Sequence, residues 1–417
     1  MSFIEELKWR GLVKDVTDEA GLLEQLQQPT AVYCGFDPTA DSLHIGHLQQ
    51  LILLKRYQLE GHLPIALIGG ATGSVGDPSG KSSERVLQSL EEIEKNVQGI
   101  KKQVEHVLEV NHFPIKVLNN YDWLSQISML ELLRDYGKFF NLNTMLAKET
   151  VASRLETGIS FTEFSYTILQ AIDWLKLYEN HQCKVQIGGS DQWGNLVSGS
   201  ELIRKMHGHE HQVFGITSPL ITKSDGSKFG KSEGGNIWLD PQRQSAYSFY
   251  QFWINVADAD IEDFSKRLSL KSVEQLEEIF QQHRQAPHLR HAQKELAAEL
   301  TVLVFDQAAL DQALKITETY FSGALESLSG NEIKMALEGA PAVVIKPDEL
   351  LINTLVQSQF VKSKSEARTL LKQNSISVNG EKITDFDYIF TPAAAIDESI
   401  FIVRRGKKNY LLVELAK

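Results

Sequence analysis

The sequence predicts an α/β architecture built on a parallel sheet, followed by an α-helical segment and a small α+β unit. Three observations predict it. Five short apolar stretches, Ala31–Phe36, Pro64–Gly70, Ile115–Asn119, Lys184–Gly188 and Val213–Thr217, are separated by helix-length segments. That is the pattern of buried parallel strands joined by crossover helices. From Tyr247 to Phe321, aromatic and aliphatic residues recur at three-to-four spacing, which reads as helix. From Leu351 on, helix patterns over Leu351–Gln357 and Ser365–Asn374 precede alternating strands near Ile376–Val378, Ser399–Val403 and Tyr410–Val413. Asn379-Gly380 supplies a hairpin turn between them.

Each strand has its own logic. Pro64 lacks an N–H and is expected at the first position of its strand. The strand ends share a feature. Ala31–Phe36 runs into Asp37-Pro38-Thr39, and Pro64–Gly70 into a Gly/Ser loop ending at Asp77. Ile115–Leu118 ends in Asn119-Asn120, and Lys184–Ile187 in Gly188-Gly189-Ser190-Asp191. Ligands of open parallel sheets sit outside the carboxyl ends of the strands, so these polar exits describe one crevice. The segment 327–350, with glycines, two prolines and no aromatics, reads as a linker. The expected divisions are therefore 1–225, 226–326, 327–350 and 351–417.

Composition sets the outer bounds. The chain has 417 residues, 42% hydrophobic and 23% charged, enough for two or three domains. It contains no run of about 18 apolar residues, so no membrane span is expected. The acidic start Met1-Ser2-Phe3-Ile4-Glu5-Glu6 is unlike a secretory leader. Two cysteines, Cys34 and Cys183, build neither a disulfide framework nor a cysteine-rich zinc site. A cytoplasmic protein without structural metal is expected. The net charge of −12 is unevenly spread: Leu351–Lys417 has 10 Lys+Arg against 7 Asp+Glu, a balance of +3, leaving −15 for the remainder. A locally basic tail suits phosphate contacts confined to one module; equally, so small an excess is ordinary scatter.

Four motifs carry chemistry. His44-Ile45-Gly46-His47 follows the first strand, with Asp41 or Ser42 positioned to cap a helix. The histidines would share one face of its first turn, where a helix N-terminus favours anions, and Gly46 would leave backbone bare for a flat base. Two ordinary surface histidines are the plainer reading. The segment Gly69–Ser82 ends in Gly-Lys-Ser, but a phosphate loop needs glycine where Val75 stands, and Gly230-Lys231-Ser232 fails likewise at Asp225. A loop carrying Lys81 and Arg85 toward a polyphosphate fits better. On the helix expected over Phe161–Tyr178, opened by a Ser160/Glu163 capping box, Tyr166, Gln170 and Asp173 share one face. Taken alone, that trio reads as a hydrogen-bonded core cluster; facing a crevice, it reads a small polar ligand. Lys228-Phe229-Gly230-Lys231-Ser232 offers two lysines for charge that appears only during reaction.

His-Ile-Gly-His followed much later by Lys-Phe-Gly-Lys-Ser resembles the signature pair of class I aminoacyl-tRNA synthetases. Gly188-Gly189-Ser190-Asp191-Gln192-Trp193-Gly194-Asn195 and Tyr33-Cys34-Gly35-Phe36-Asp37-Pro38-Thr39 are similar to the bacterial tyrosyl type in particular. The resemblance covers essentially the whole chain. It implies a Rossmann-like nucleotide-binding domain with a dimer-forming insertion over 1–225. It also implies a signature loop and anticodon-arm-binding helices over 226–326, and a ribosomal-protein-type RNA-binding domain over 351–417. L-tyrosine, ATP with Mg2+ and tRNA(Tyr) are the implied substrates, with a homodimer and no tightly bound cofactor.

Position by position, the resemblance implies that Tyr33 and Asp173 bond the substrate phenol, while Tyr166, Gln170 and Asp77 hold its ammonium. Cys34, Gly35, His47, Gly189, Asp191 and Gln192 would hold the ribose side of the adenylate, with Asp37, Gly46 and Ser232 among the ATP contacts. Thr39 and His44 would meet the γ-phosphate, and Lys81, Arg85, Lys228 and Lys231 the leaving pyrophosphate. The loop has Phe-Gly where the wider class has Met-Ser. A tryptophan-specific relative and a small-molecule nucleotidyltransferase remain as alternatives. The first is disfavoured by Tyr33 with Asp173, because an indole offers only a donor. The second leaves the helical segment and the tail unexplained. A non-catalytic RNA-binding relative is disfavoured by the intact His44, His47, Lys228 and Lys231.

Overall fold

Along Ala31–Phe36 (β1) every side chain except the glycine position is buried, as a strand covered on both faces requires. The computed structural model describes residues 1–79, 88–109, 114–155, 158–224, 229–232, 235–406 and 409–416, with only the backbone at 149–150 and 231–232. β1 pairs in parallel with Leu63–Ile68 (β2), which pairs with Lys116–Asn119 (β3). On its other side β1 pairs with Cys183–Gly189 (β4), and β4 with Phe214–Ser218 (β5). The order β3-β2-β1-β4-β5 reverses direction between β1 and β4. That reversal opens a crevice at the carboxyl ends of these two strands.

All five expected strands are present, with ends displaced by a residue or two. Pro64 is the second residue of β2, not the first, and pairing with β3 starts only at Ile65. Its missing N–H therefore falls where β2 has one neighbour rather than two. The helix Ile45–Leu59 is buried nearly all round, as expected of an element packed between layers. The helix Phe161–His181 places Ile172, Trp174 and Leu175 in a core shared with Tyr33, Ile65 and Leu67. It runs three residues beyond the expected end and stops at Gln182, which adopts a left-handed conformation. Among the described residues, no helix is long and apolar enough to cross a membrane.

The chain divides into two compact units, Met1–Arg243 with Ile254–Val304, and Gln244–Trp253 with Phe305–Lys417. The helices expected together over 226–326 fall into both. Asp258–Leu268, Val273–Gln285 and His291–Val304 join the sheet unit, while Gln307–Ser322 joins the second.

Within the first unit, Lys231–Ser232 (β6) and Gly235–Asn236 (β7) form a short antiparallel pair. In the second, Ala342–Ile345 (β8), Ile376–Val378 (β9), Glu381–Lys382 (β10), Ile400–Arg405 (β11) and Asn409–Leu415 (β12) form a mixed sheet, ordered β10-β9-β11-β12-β8. The period of two in β11 and β12 explains its packing. Phe401, Val403, Leu411 and Val413 face a core with Leu351, Leu355, Leu371 and Phe390. Ile400, Ile402 and Leu412 face another with Ile316, Leu328, Ile333 and Leu337.

The second face corrects one expectation. The segment read as a linker over 327–350 contains the helix Gly330–Ala336 and the edge strand β8. Its aliphatic residues cover the sheet; the glycines and prolines only turn the chain between them. Asn379 and Gly380 both have positive φ, 46° and 84°, as the hairpin turn requires. The helix expected to start at Ser365 is capped two residues earlier, by Ser363, and spans Lys364–Lys372.

Candidate active site

The crevice between β1 and β4 holds a cleft of about 370 Å³. β1 and its exit contribute Tyr33, Cys34, Gly35, Asp37 and Thr39, and the next helix contributes His44, Gly46 and His47. Asp77 enters from the loop after β2, and Tyr166, Gln170 and Asp173 from the helix Phe161–His181. Gly189, Asp191 and Gln192 close the ring from the end of β4. These residues are scattered over more than 150 sequence positions, and the strand-order reversal brings them together.

The buried part of the cleft is polar and carefully bonded. Asp173 is 2% exposed. Its Oδ2 accepts from Asn120 Nδ2 at 2.9 Å and its Oδ1 from Trp123 Nε1 at 2.8 Å. Burial nevertheless pushes its carboxyl up to about 7, against the lowering effect of those two donors. Tyr33 is 1% exposed, and its hydroxyl has no partner among the described residues. Burial raises that phenol well above its ordinary range, with the Asp173 charge adding to the effect. The Oε1 atoms of Gln170 and Gln186 are likewise buried without partners among the described residues. Unpaired buried polar groups cost free energy, so such a group of them marks where a ligand completes the bonding.

A second carboxylate group surrounds this pocket. Tyr166 donates to Asp37 Oδ2 at 2.9 Å, and Thr72 to Asp37 Oδ1 at 2.8 Å. Asp77 accepts from Gln192 Nε2 at 2.7 Å and from the Ser79 amide at 2.9 Å. Burial, then the neighbouring Asp77 charge, raises the Asp191 carboxyl. Carboxylates crowded this way create a negative field that suits a cation such as a substrate ammonium.

The outer part is built differently. His44, neither Asp41 nor Ser42, is the N-cap of the helix Ile45–Leu59. Its Nδ1 accepts from the Gly46 amide at 3.0 Å, and the His47 ring returns to the His44 amide at 3.3 Å. The two rings stack with centroids 4.1 Å apart. An imidazole therefore does the work usually done by a serine or aspartate cap. The role expected of Gly46 changes accordingly. A Cβ there would meet His44 Cε1 at 2.7 Å, whereas a Cβ on Gly35 would meet none of the described residues within 4 Å. Gly35 is the open backbone, and Gly46 is bare because His44 folds over it.

Lys81, Arg85 and Lys228 lie outside the described residues, as do the side chains of Lys231 and Ser232. The backbone of the second signature is nevertheless anchored. The Ile237 amide donates to Gly230 O at 3.2 Å, and the Ile45 amide to Ile237 O at 2.9 Å. The β6–β7 hairpin thus sits against the start of the histidine helix.

Sequence reasoning missed Asn120, Trp123, Thr72 and Gln186. Asn120 stood in a recognised polar strand exit, but nothing local tied it to Asp173, 53 positions away. The expected Ser160 cap is present, accepting from the Glu163 amide at 3.2 Å. Glu163 does not complete a capping box; it forms a buried ion pair with Arg154 at 3.0 Å.

This fold and cleft are those of a class I aminoacyl-tRNA synthetase: residues 24–322 match the family described as tRNA synthetases class I (W and Y). Residues 332–413 match the tyrosine--tRNA ligase SYY-like C-terminal domain. A tyrosine--tRNA ligase of Limosilactobacillus fermentum is 49% identical over all of both chains. Tyrosine--tRNA ligase 1 of Bacillus cereus is 49% identical over 99% of this chain and 100% of its own. Among solved structures, a C-terminally truncated Aspergillus nidulans mitochondrial tyrosyl-tRNA synthetase superposes with a TM-score of 0.68 at 30% identity. The match covers 76% of this chain and 94% of that one. The chain belongs to the tyrosine--tRNA ligase family.

Proposed function

We propose that this protein joins L-tyrosine to ATP, releases pyrophosphate, and transfers the tyrosyl group from the adenylate to the 3′ end of tRNA(Tyr). One observation supports the choice of amino acid above all: the unpartnered Tyr33 hydroxyl beside the buried Asp173 carboxyl. A substrate phenol donates to Asp173 and accepts from Tyr33. Phenylalanine leaves the buried Tyr33 hydroxyl unpaired and gives Asp173 no donor beyond Asn120 and Trp123, and an indole satisfies only the acceptor.

In this reading Asp77, Tyr166 and Gln170, in the negative field of Asp37, Asp77 and Asp191, receive the ammonium group. Cys34, Gly35, Asp37, Gly46, His47, Gly189, Asp191 and Gln192 border the ribose and adenine. Thr39 and His44 face the triphosphate, and Lys81, Arg85, Lys228, Lys231 and Ser232 act on the departing pyrophosphate. The tyrosine carboxylate is already ionised, so its attack on the α-phosphorus needs no protein nucleophile and no general base. The α-phosphorus–oxygen bond to pyrophosphate breaks as the carboxylate–phosphorus bond forms. Positioning and stabilisation of charge in the transition state are what the protein supplies. Magnesium enters on the ATP phosphates.

The exposed apolar residues Met129, Leu130, Leu133, Leu142 and Phe161 support a second copy of the chain as partner. The basic excess of Leu351–Lys417 supports contact of that segment with tRNA in the cytoplasm. The test is Asp173→Ala in tyrosine-dependent ATP–pyrophosphate exchange, which should fall by about 100-fold (roughly one strong hydrogen bond to charge) in a protein that stays folded. Exchange near the wild-type rate would show that the phenol binds elsewhere.

A further inference from the structure

The two signature elements of the first unit are both fastened to one helix, Asp258–Leu268. On one side, Phe229 packs edge-on against Phe264, with ring centroids 4.8 Å apart and planes at 64°. Ser224, just before the signature loop, donates its amide to Asp260 on the same helix at 2.8 Å. On the other side, the histidine helix Ile45–Leu59 reaches the same element with its last turn. Arg56, buried, donates to the carbonyl of Ser269, the C-cap of Asp258–Leu268. Arg10 reinforces that end by donating to the carbonyls of Lys266, Ser269 and Lys271 at 3.0, 3.3 and 2.6 Å.

The circuit closes at the site. Gly230, at φ +91°, lies against Ile45, where an added Cβ would stand 3.2 Å from Ile45 Cγ1. Following the contacts, Ile45 leads along its helix to Arg56, to Ser269, back to Phe264, to Phe229 and to Gly230, and so returns to Ile45. Phe264 and Ser269 are separated by about 7.5 Å of helical rise, a nearly incompressible length. A closed loop of stiff elements fixes the separation of its members. Here those members are the backbone before Lys231 and the N-terminus bearing His44 and His47.

We propose that Phe264 and Phe229 are positioning residues that set the signature loop against the histidine turn for adenylate formation. Neither lines the cleft. Their effect is on the step in which charge moves onto pyrophosphate, because a misplacement of about 1 Å there is worth roughly 100-fold in rate. The tyrosine pocket, held by Asn120, Trp123 and the helix Phe161–His181, lies outside the circuit. The proposal rests on the synthetase reading of the site.

The test uses the full-length protein and compares Phe229→Ala, Phe264→Ala, Phe264→Leu and the double alanine variant in pyrophosphate exchange, with tyrosine binding measured separately without ATP. Leu276→Ala, in a neighbouring helix of the same unit, controls for lost stability. Each single alanine variant should lower kcat at least tenfold, leave tyrosine binding unchanged, and recover in Phe264→Leu. The double variant should lose little more than either single one, because both break the same contact. If Phe264→Ala does not fold, Phe229→Ala, whose side chain is only half-buried, carries the test. Wild-type kcat in Phe229→Ala, an equal loss in Leu276→Ala, or a parallel loss of tyrosine binding would overturn the proposal. Absence of tyrosine-dependent exchange in the wild-type protein would instead remove the functional reading beneath it.

Discussion

Trp123 donates its indole N–H to Asp173 Oδ1 at 2.8 Å, and this bond opposes the burial that raises the carboxyl of the substrate pocket. Burial raises the Asp173 carboxyl to about 7, and the Trp123 and Asn120 donors hold it from rising further. A phenol donor is accepted best by the ionised form, so tyrosine affinity should increase with pH up to about 7 and then level off. Trp123→Phe removes one donor and moves that inflection upward. At pH 7 the variant should bind tyrosine about tenfold more weakly and recover much of the loss at pH 8.5, as a lost bond to a charged group implies. Binding isotherms across pH check this; a loss independent of pH would assign Trp123 to packing alone.

The same shift has a consequence for stability. Between the ordinary carboxylate pKa of about 4 and the folded value, the unfolded chain is ionised while folded Asp173 keeps its proton. The group therefore costs stability progressively as pH rises through that window, and the cost is constant above it.

Tyr33→Phe should act in opposite directions on stability and binding. The wild-type hydroxyl is buried without a partner, so removing it should stabilise the ligand-free protein by about 1 kcal/mol. It should also weaken tyrosine binding about fivefold to tenfold, because the phenol loses a donor. Thermal unfolding and exchange kinetics on the same preparation read both effects. A destabilised variant would mean that the hydroxyl has a partner in solution.

Gly46→Ala tests the unusual cap. The new methyl would meet the His44 ring at 2.7 Å, and the ring must then leave the helix N-terminus. Stability should fall by about 1 kcal/mol, the typical worth of an N-cap. The ATP-dependent step should slow at least tenfold while tyrosine binding stays unchanged, which equilibrium binding without ATP would show.

Truncation should depend sharply on where the chain is cut. Ending it after Leu350 strands β8 and uncovers Ile316, Leu328, Ile333 and Leu337, so aggregation is expected. Ending it after Gly323 removes most of that apolar group, and pyrophosphate exchange should persist without tRNA charging. Light scattering of the two truncated proteins distinguishes them. Equal solubility would mean that 327–350 is the tether its composition resembles.

How much of this was legible in the sequence follows from the range of the forces involved. Strand identity is written in local runs, and β1 falls on the expected residues. The polar strand exits named the crevice because topology needs only strand order. Hydrogen-bond partners across the fold left no local mark. Asn120 and Trp123 gave no sign of meeting Asp173, and His44 gave none of displacing Asp41 and Ser42 as the cap. The linker reading failed for a related reason: the aliphatic face of Gly330–Ala336 is meaningful only beside β11 and β12. Glycine and proline content registered the turns and hid the packing.

The most direct measurement is ATP–pyrophosphate exchange by the purified full-length protein, run separately with each of the standard amino acids. The pairing of the Tyr33 hydroxyl with Asp173 predicts that tyrosine alone supports exchange, with phenylalanine and tryptophan at background. Exchange with tryptophan, or equal rates with tyrosine and phenylalanine, would contradict it.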